Sequence, residues 1–153
     1  MTEPNLTHLD TEGRATMVDV SSKPMVRRTA IAEGFFVASP DALDRLESGD
    51  LPKGEALGTA RIAGIQAAKD CSRMIPLCHP MPIDHVQIDI ERSEPNRMRM
   101  EAQVSVTART GVEMEALSAV TGCALTLYDM TKAIERHATI EGVRLVSKHK
   151  EDA

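Results

Sequence analysis

The chain has 153 residues, a formal net charge of −5, two Phe, one Tyr and no Trp. That length suits one domain with a sizeable core, which Val, Ile, Leu, Met and Ala must supply. An acidic balance and too few aromatic side chains for base stacking argue against a dedicated nucleic-acid binder. Cys71, Cys78 and Cys123 are odd in number and form no CxxC pair, the pattern of reduced thiols. The first residues carry no basic and apolar leader, and the longest uncharged run, Ala116 to Tyr128, is shorter than the roughly 20 residues of a membrane span. A cytoplasmic protein without membrane association is expected.

Residues 1–13 are polar and read as a flexible terminus, 14–148 as a single catalytic domain, and 149–153 as a short tail. Met17 to Val20 is a short strand candidate, and Val26 to Val37 a second one. Asp41 to Glu47 has helical character, with Ser39 as N-cap and Pro40 in the first turn. After the turn at Gly49–Pro52, a longer helix is predicted from Glu55 to Ser72, with Ala56, Ala60, Ala63 and Ala67 along one face. Three prolines between Ile75 and Pro82 forbid regular structure there. His85 to Glu91 alternates as a strand, and a turn at Glu94–Asn96 leads into a second, Arg97 to Arg109, making a hairpin. A long helix is predicted over Glu113 to Glu135 and a last strand over Ala138 to Lys148. The order is that of an α+β, ferredoxin-like β-α-β-β-α-β domain, an antiparallel sheet with helices packed on one face.

Three stretches hold acid–base side chains beside apolar or small residues: Lys53-Gly54, Leu77-Cys78-His79-Pro80 with Glu113 and Glu115, and Tyr128 to Lys132. Pro76 and Pro80 stiffen the turn that presents His79. That imidazole is read either as a substrate-binding, proton-handling group or as a loop histidine bonded to a backbone carbonyl. Adjacent Cys78-His79 does not resemble spaced zinc ligands, so no metal or other cofactor is expected. Lys53 precedes a helix, where it can hold a phosphate or exchange protons. Asp129 and Lys132, three apart, share a helix face.

Glu113 and Glu115 lie about 200° apart around an ideal helix, so only one is expected to face a given cleft unless the helix starts late. Glu115 and Asp129 are fourteen residues apart, about 21 Å along the axis. One compact site cannot use both ends from a single subunit: either the carboxylates have separate jobs or two chains contribute opposite ends to a shared site, and the second reading is favoured. No P-loop, GxGxxG, GxSxG or HExxH motif is present. An anionic ligand would need scattered cations such as Lys23, Arg27, Arg28, Lys69, Lys148 and Lys150. A non-catalytic, nucleotide-binding regulatory module of the same fold is the rival reading.

The segments Met17-Val18-Asp19-Val20-Ser21, Lys53-Gly54, Ala60 to Lys69, Ile75 to Pro80, Thr110 to Leu117 and Tyr128 to Ala133 resemble the cyclic pyranopterin monophosphate synthase family, the C protein of molybdenum-cofactor biosynthesis. The resemblance runs from about Gly13 to Lys148. It implies a ferredoxin-like subunit in a hexamer, a trimer of dimers with the active site between two subunits. It also implies a lyase that converts a 3′,8-cyclised dihydro-GTP, an anionic purine nucleotide made by a radical SAM enzyme, into cyclic pyranopterin monophosphate and diphosphate. Carried onto matching positions, Leu77, Cys78, His79, Met114 and Glu115 contact substrate, Asp129 is an active-site residue, and Lys53 and Lys132 handle protons. Glu113, beside Met114 and Glu115, is grouped with the substrate-binding residues. Two departures stand out: Glu55 follows Lys53-Gly54 where aspartate is usual, and the common Gly- and Ser-rich tail is absent.

Overall fold

The computed structural model describes residues 7–151. In it the chain runs β1 (Val26–Val37), α1 (Pro40–Ser48), α2 (Leu57–Lys69), α3 (Cys71–Met74), β2 (His85–Glu94), β3 (Arg97–Ala108), α4 (Glu113–Thr131) and β4 (Thr139–Lys150). The strands form one sheet in the order β2-β3-β1-β4, each neighbouring pair antiparallel. β1 and β2 therefore run parallel with β3 inserted between them, which is the split arrangement expected of this α+β fold.

Period-two burial produces the layering. Along β3, Met98, Met100, Ala102, Val104, Val106 and Ala108 are buried, while Arg97, Arg99, Glu101, Gln103 and Thr107 point to the other face. The buried row joins Ala30, Ala32 and Phe36 of β1 and the inner residues of α4 in one core. Small residues let α2 and α4 lie close together. A Cβ on Gly64 would stand 2.9 Å from the Ala119 carbonyl oxygen, and one on Gly122 would stand 2.6 Å from the Ala67 Cβ. The buried stripe of α2 is Ala60, Gly64 and Ala68, continuing Ala56, while Ala63 and Ala67 are half-buried.

Ser39 caps α1 as expected, its hydroxyl accepting from Ala42 N at 3.2 Å, and Gly49 closes it with φ 76°, a left-handed value that favours glycine. Arg92 of β2 ties that helix to the hairpin through Asp44 at 2.6 Å and Glu47 at 2.9 Å. On the helix-free face, Glu33 is buried between Arg144 and Arg99, 2.7 and 2.8 Å away. Hydrogen bonding from Arg144 and then Arg99 holds its carboxyl below the usual range despite burial.

Several boundaries differ from expectation. Met17 to Val20 is not a strand and joins no ladder; the backbone turns directly after it, where Ser21 N donates to Asp19 Oδ1 at 2.9 Å. Residues 7–16 make a turn of their own, with Glu12 N and Arg14 N both bonded to Asp10 Oδ1 and a bridge between Leu9 and Ala15. The alanine-rich helix stops at Lys69, because Asp70 leaves helical geometry, and α3 is a separate turn. α4 ends at Thr131, whose carbonyl accepts from both Ile134 N and Glu135 N, and β4 continues through His149 and Lys150.

Candidate active site

The N-terminal tip of α4, the proline-stiffened turn and the segment before β1 enclose a cavity of about 300 Å³. Leu77, Cys78, His79, Glu113, Met114 and Glu115 all line it, as do Val18, Val20 and Lys23 of the leading segment and Thr110-Gly111. Both glutamates reach the same cavity, against the expectation from helix geometry. The space lies over the helix tip rather than along one side, and α4 begins at Glu113 itself. Two carboxylates in a first turn also suit the positive end of the helix dipole.

Glu115 is only 4 % exposed, and burial raises its pKa above the ordinary carboxyl range, with Glu113 adding to the effect. Cys78 is half-buried; burial, then the neighbouring Cys71 and Glu115, push its thiol up to about 11. Buried Cys71 accepts a hydrogen bond from Ser118 Oγ at 3.3 Å. His79 matches the reading of a loop histidine bonded to a backbone carbonyl. Its Nε2 lies 2.7 Å from the carbonyl oxygen of Val18, and the ring also faces the cavity. Among the described residues, no group of three His, Cys, Asp or Glu side chains could hold a metal ion.

A second cavity of about 250 Å³ adjoins the first at Gly111 and Glu113. Its wall is basic, with Arg28 from β1 and Lys148 and Lys150 from β4; His149 lies beside them. Lys148 Nζ is 3.3 Å from Glu113 Oε1, so this pair stands at the junction. A neutral or donor-bearing ligand end fits the first lobe and an anionic end the second. The value of Lys148 and Lys150 follows from β4 extending to Lys150, beyond the strand end expected from the alternation.

Asp129, Lys132 and Lys53 form a separate cluster at the other end of α4. Asp129 bonds Lys53 Nζ at 2.7 Å through one oxygen and Lys132 Nζ at 2.8 Å through the other. All three are exposed in the single chain, at 42–53 % of their side-chain surface. Hydrogen bonds from Lys132, then Lys53, hold the Asp129 carboxyl at about 2, and Asp129 raises the Lys132 pKa in return. Gly54, with φ 90°, turns the chain directly after Lys53. The α2 N-terminus does not serve Lys53 as an anion site, since both Glu55 carboxylate oxygens accept from Gly58 N at 2.9 Å. The chain thus brings Lys53, Asp129 and Lys132 together, and Leu77–His79 with Glu113–Glu115, but leaves the two groups at opposite ends of one helix.

Periodicity marks the leading segment as a strand and a flexible terminus and does not reveal its part in the cavity. The usable signal was the Met17–Ser21 motif. A family model described as the MoaC family matches residues 17–151. Curated proteins similar to this chain include the cyclic pyranopterin monophosphate synthase of Corynebacterium efficiens, 52% identical over 143 residues that span 94% of this chain and 92% of that protein. The protein of the same name from Roseiflexus castenholzii is 50% identical over 145 residues, spanning 94% and 92%. That of Methylobacterium nodulans is 51% identical over 146 residues, spanning 95% and 91%. With the motifs lining one cavity and a match over nearly the whole length, the chain belongs to the MoaC family.

Proposed function

We propose that this chain is a cyclic pyranopterin monophosphate synthase, a lyase of molybdenum-cofactor biosynthesis. The observation that carries the reading is the likeness, at about half identity and nearly full length, to proteins of that name. The two-lobed cavity supports it, since one lobe suits a purine-derived ring and the other a phosphate chain. The substrate is (8S)-3′,8-cyclo-7,8-dihydroguanosine 5′-triphosphate, supplied by a radical SAM enzyme, and the products are cyclic pyranopterin monophosphate and diphosphate. Residues 14–148 act as one catalytic domain, in the cytoplasm.

Leu77, Cys78, His79, Glu113, Met114 and Glu115 hold the ring and ribose. Arg28, Lys148 and Lys150 offset the charge that gathers on the departing diphosphate. Asp129 stays ionised and keeps Lys132 protonated, so that lysine begins as a donor and becomes a base only after giving its proton away. Lys53 shares the same carboxylate and is the second proton carrier.

Reaching one ligand from both ends of α4 takes two copies of the chain. Met114, Leu125 and Lys132 are exposed and Leu117, Thr121 and Tyr128 half-buried along one stripe of the helix, at three- and four-residue spacing. Residues 116–128 carry no charge, and Leu125 is 58% exposed. A second copy packed antiparallel on this stripe, about a two-fold axis near Thr121 and Leu125, sets the Lys132 end of each helix against the Glu115 end of the other. Three such dimers make the hexamer.

Single-turnover release of diphosphate from the cyclised nucleotide, measured on the full chain, tests the activity. Wild-type protein is expected to release it, and Lys53→Ala and Lys132→Ala to lose about 10²-fold or more each. No release by the wild type would end the lyase reading. Near-normal release by both variants would end the acid–base assignment alone.

A further inference from the structure

We propose that the backbone carbonyl of Val18 fixes His79 as its Nε2–H tautomer, so that His79 meets the ligand through Nδ1, as a hydrogen-bond acceptor. A carbonyl oxygen can only accept, and Nε2 lies 2.7 Å from it, so Nε2 carries the hydrogen. A neutral imidazole has one N–H, which leaves Nδ1 with a bare lone pair. Nδ1 takes no hydrogen bond from the described residues.

The carbonyl is a fixed point. Val18 is half-buried, and the segment that carries it is pinned on its far side, where Arg109 Nε donates to Lys23 O at 3.1 Å and Lys23 N to Val20 O at 3.0 Å. The ring is held from its own side by the turn between Pro76 and Pro80. Val18 is therefore a positioning residue acting through its backbone, in the way that a partner on one ring nitrogen sets the role of the other.

The assignment also orients the ligand. A group placed opposite Nδ1 must bring a hydrogen on nitrogen or oxygen. An ionised phosphate oxygen has none, so while the imidazole is neutral the ligand's ring, with its hydroxyl or amino groups, is proposed to sit at His79 and the phosphates in the lobe of Arg28, Lys148 and Lys150. The identity of that ligand rests on the lyase reading; the tautomer does not.

Two measurements on the full chain separate these. Long-range proton–nitrogen correlation spectra of histidine-labelled protein, with His79 assigned by ring-to-backbone connectivity, should show a protonated Nε2 and a bare Nδ1 at a pH where the ring is neutral. An Nδ1–H form, or the averaged signals of a free imidazole, would overturn the proposal whatever the protein's activity. In steady-state kinetics, His79→Asn keeps an acceptor near the Nδ1 position, whereas His79→Gln keeps a donor near Nε2. The Asn variant should retain about tenfold more kcat/KM than the Gln variant, the scale of one hydrogen bond to the ligand. Equal losses, or better retention by Gln, would overturn the ligand-facing role of Nδ1.

Discussion

Glu115 is a carboxylate buried in the wall of a cavity, a cost to the fold that its proposed role at the ligand would account for. A carboxyl whose pKa is raised on folding loses stability as pH climbs above its unfolded value, near 4.5 for glutamate, and the loss is absent below it. Glu115→Gln should therefore raise Tm at about pH 7, with the gain fading toward pH 4, as read by scanning calorimetry at both values. A variant less stable than wild type at neutral pH would mean that a partner compensates the buried charge. Cys78, despite its place in the site, is a poor nucleophile. With its thiol at about 11, alkylation near pH 8 should run about a hundredfold slower than for free cysteine, rising steeply with pH. A rate close to that of free cysteine would contradict the burial described.

At the scale of elements, the close approach of α2 to α4 positions the site, because it sets where the tip of α4 meets the proline turn. Gly64 is the tightest point against backbone, so Gly64→Ala forces the helices apart. The expected cost is about 1–3 kcal/mol, seen as a Tm lower by several degrees, with no such loss for an alanine at exposed Gln66. An unchanged Tm for Gly64→Ala would show that the helices have room to spare. The strands, both long helices and their order were readable from periodicity because β2, β3 and the helices each bury one regular face. What periodicity could not give was the path of residues 7–25. That segment makes few regular hydrogen bonds of its own, and its tie to His79 spans 61 positions of sequence. The same limit hid the shared cavity of Glu113 and Glu115. Helical angles describe the side of a helix, whereas this cavity wraps its end.

For the whole molecule, the separation of two chemical groups by the length of one helix is the fact that organises everything else. His79 and Glu115 stand at one end, and Lys53, Asp129 and Lys132 at the other, about 21 Å along α4 by the rise of 1.5 Å per residue. A partly exposed stripe, uncharged from Leu117 to Tyr128, joins the two ends, and in the proposed dimer a two-fold axis through its middle would convert separation in one chain into contact between two. The same proposed dimer would bring the basic lobe near Lys148 toward the lysine cluster of a neighbour and so concentrate positive charge for a triphosphate, on a chain whose net charge is −5. The direct test mixes Lys132→Ala with Glu115→Ala protein under subunit exchange. Each mixed dimer would regain one intact site, so diphosphate release should return to about a quarter of the wild-type rate at random pairing. Complete inactivity, with hetero-oligomers demonstrably formed, would contradict a site built from opposite ends of two α4 helices.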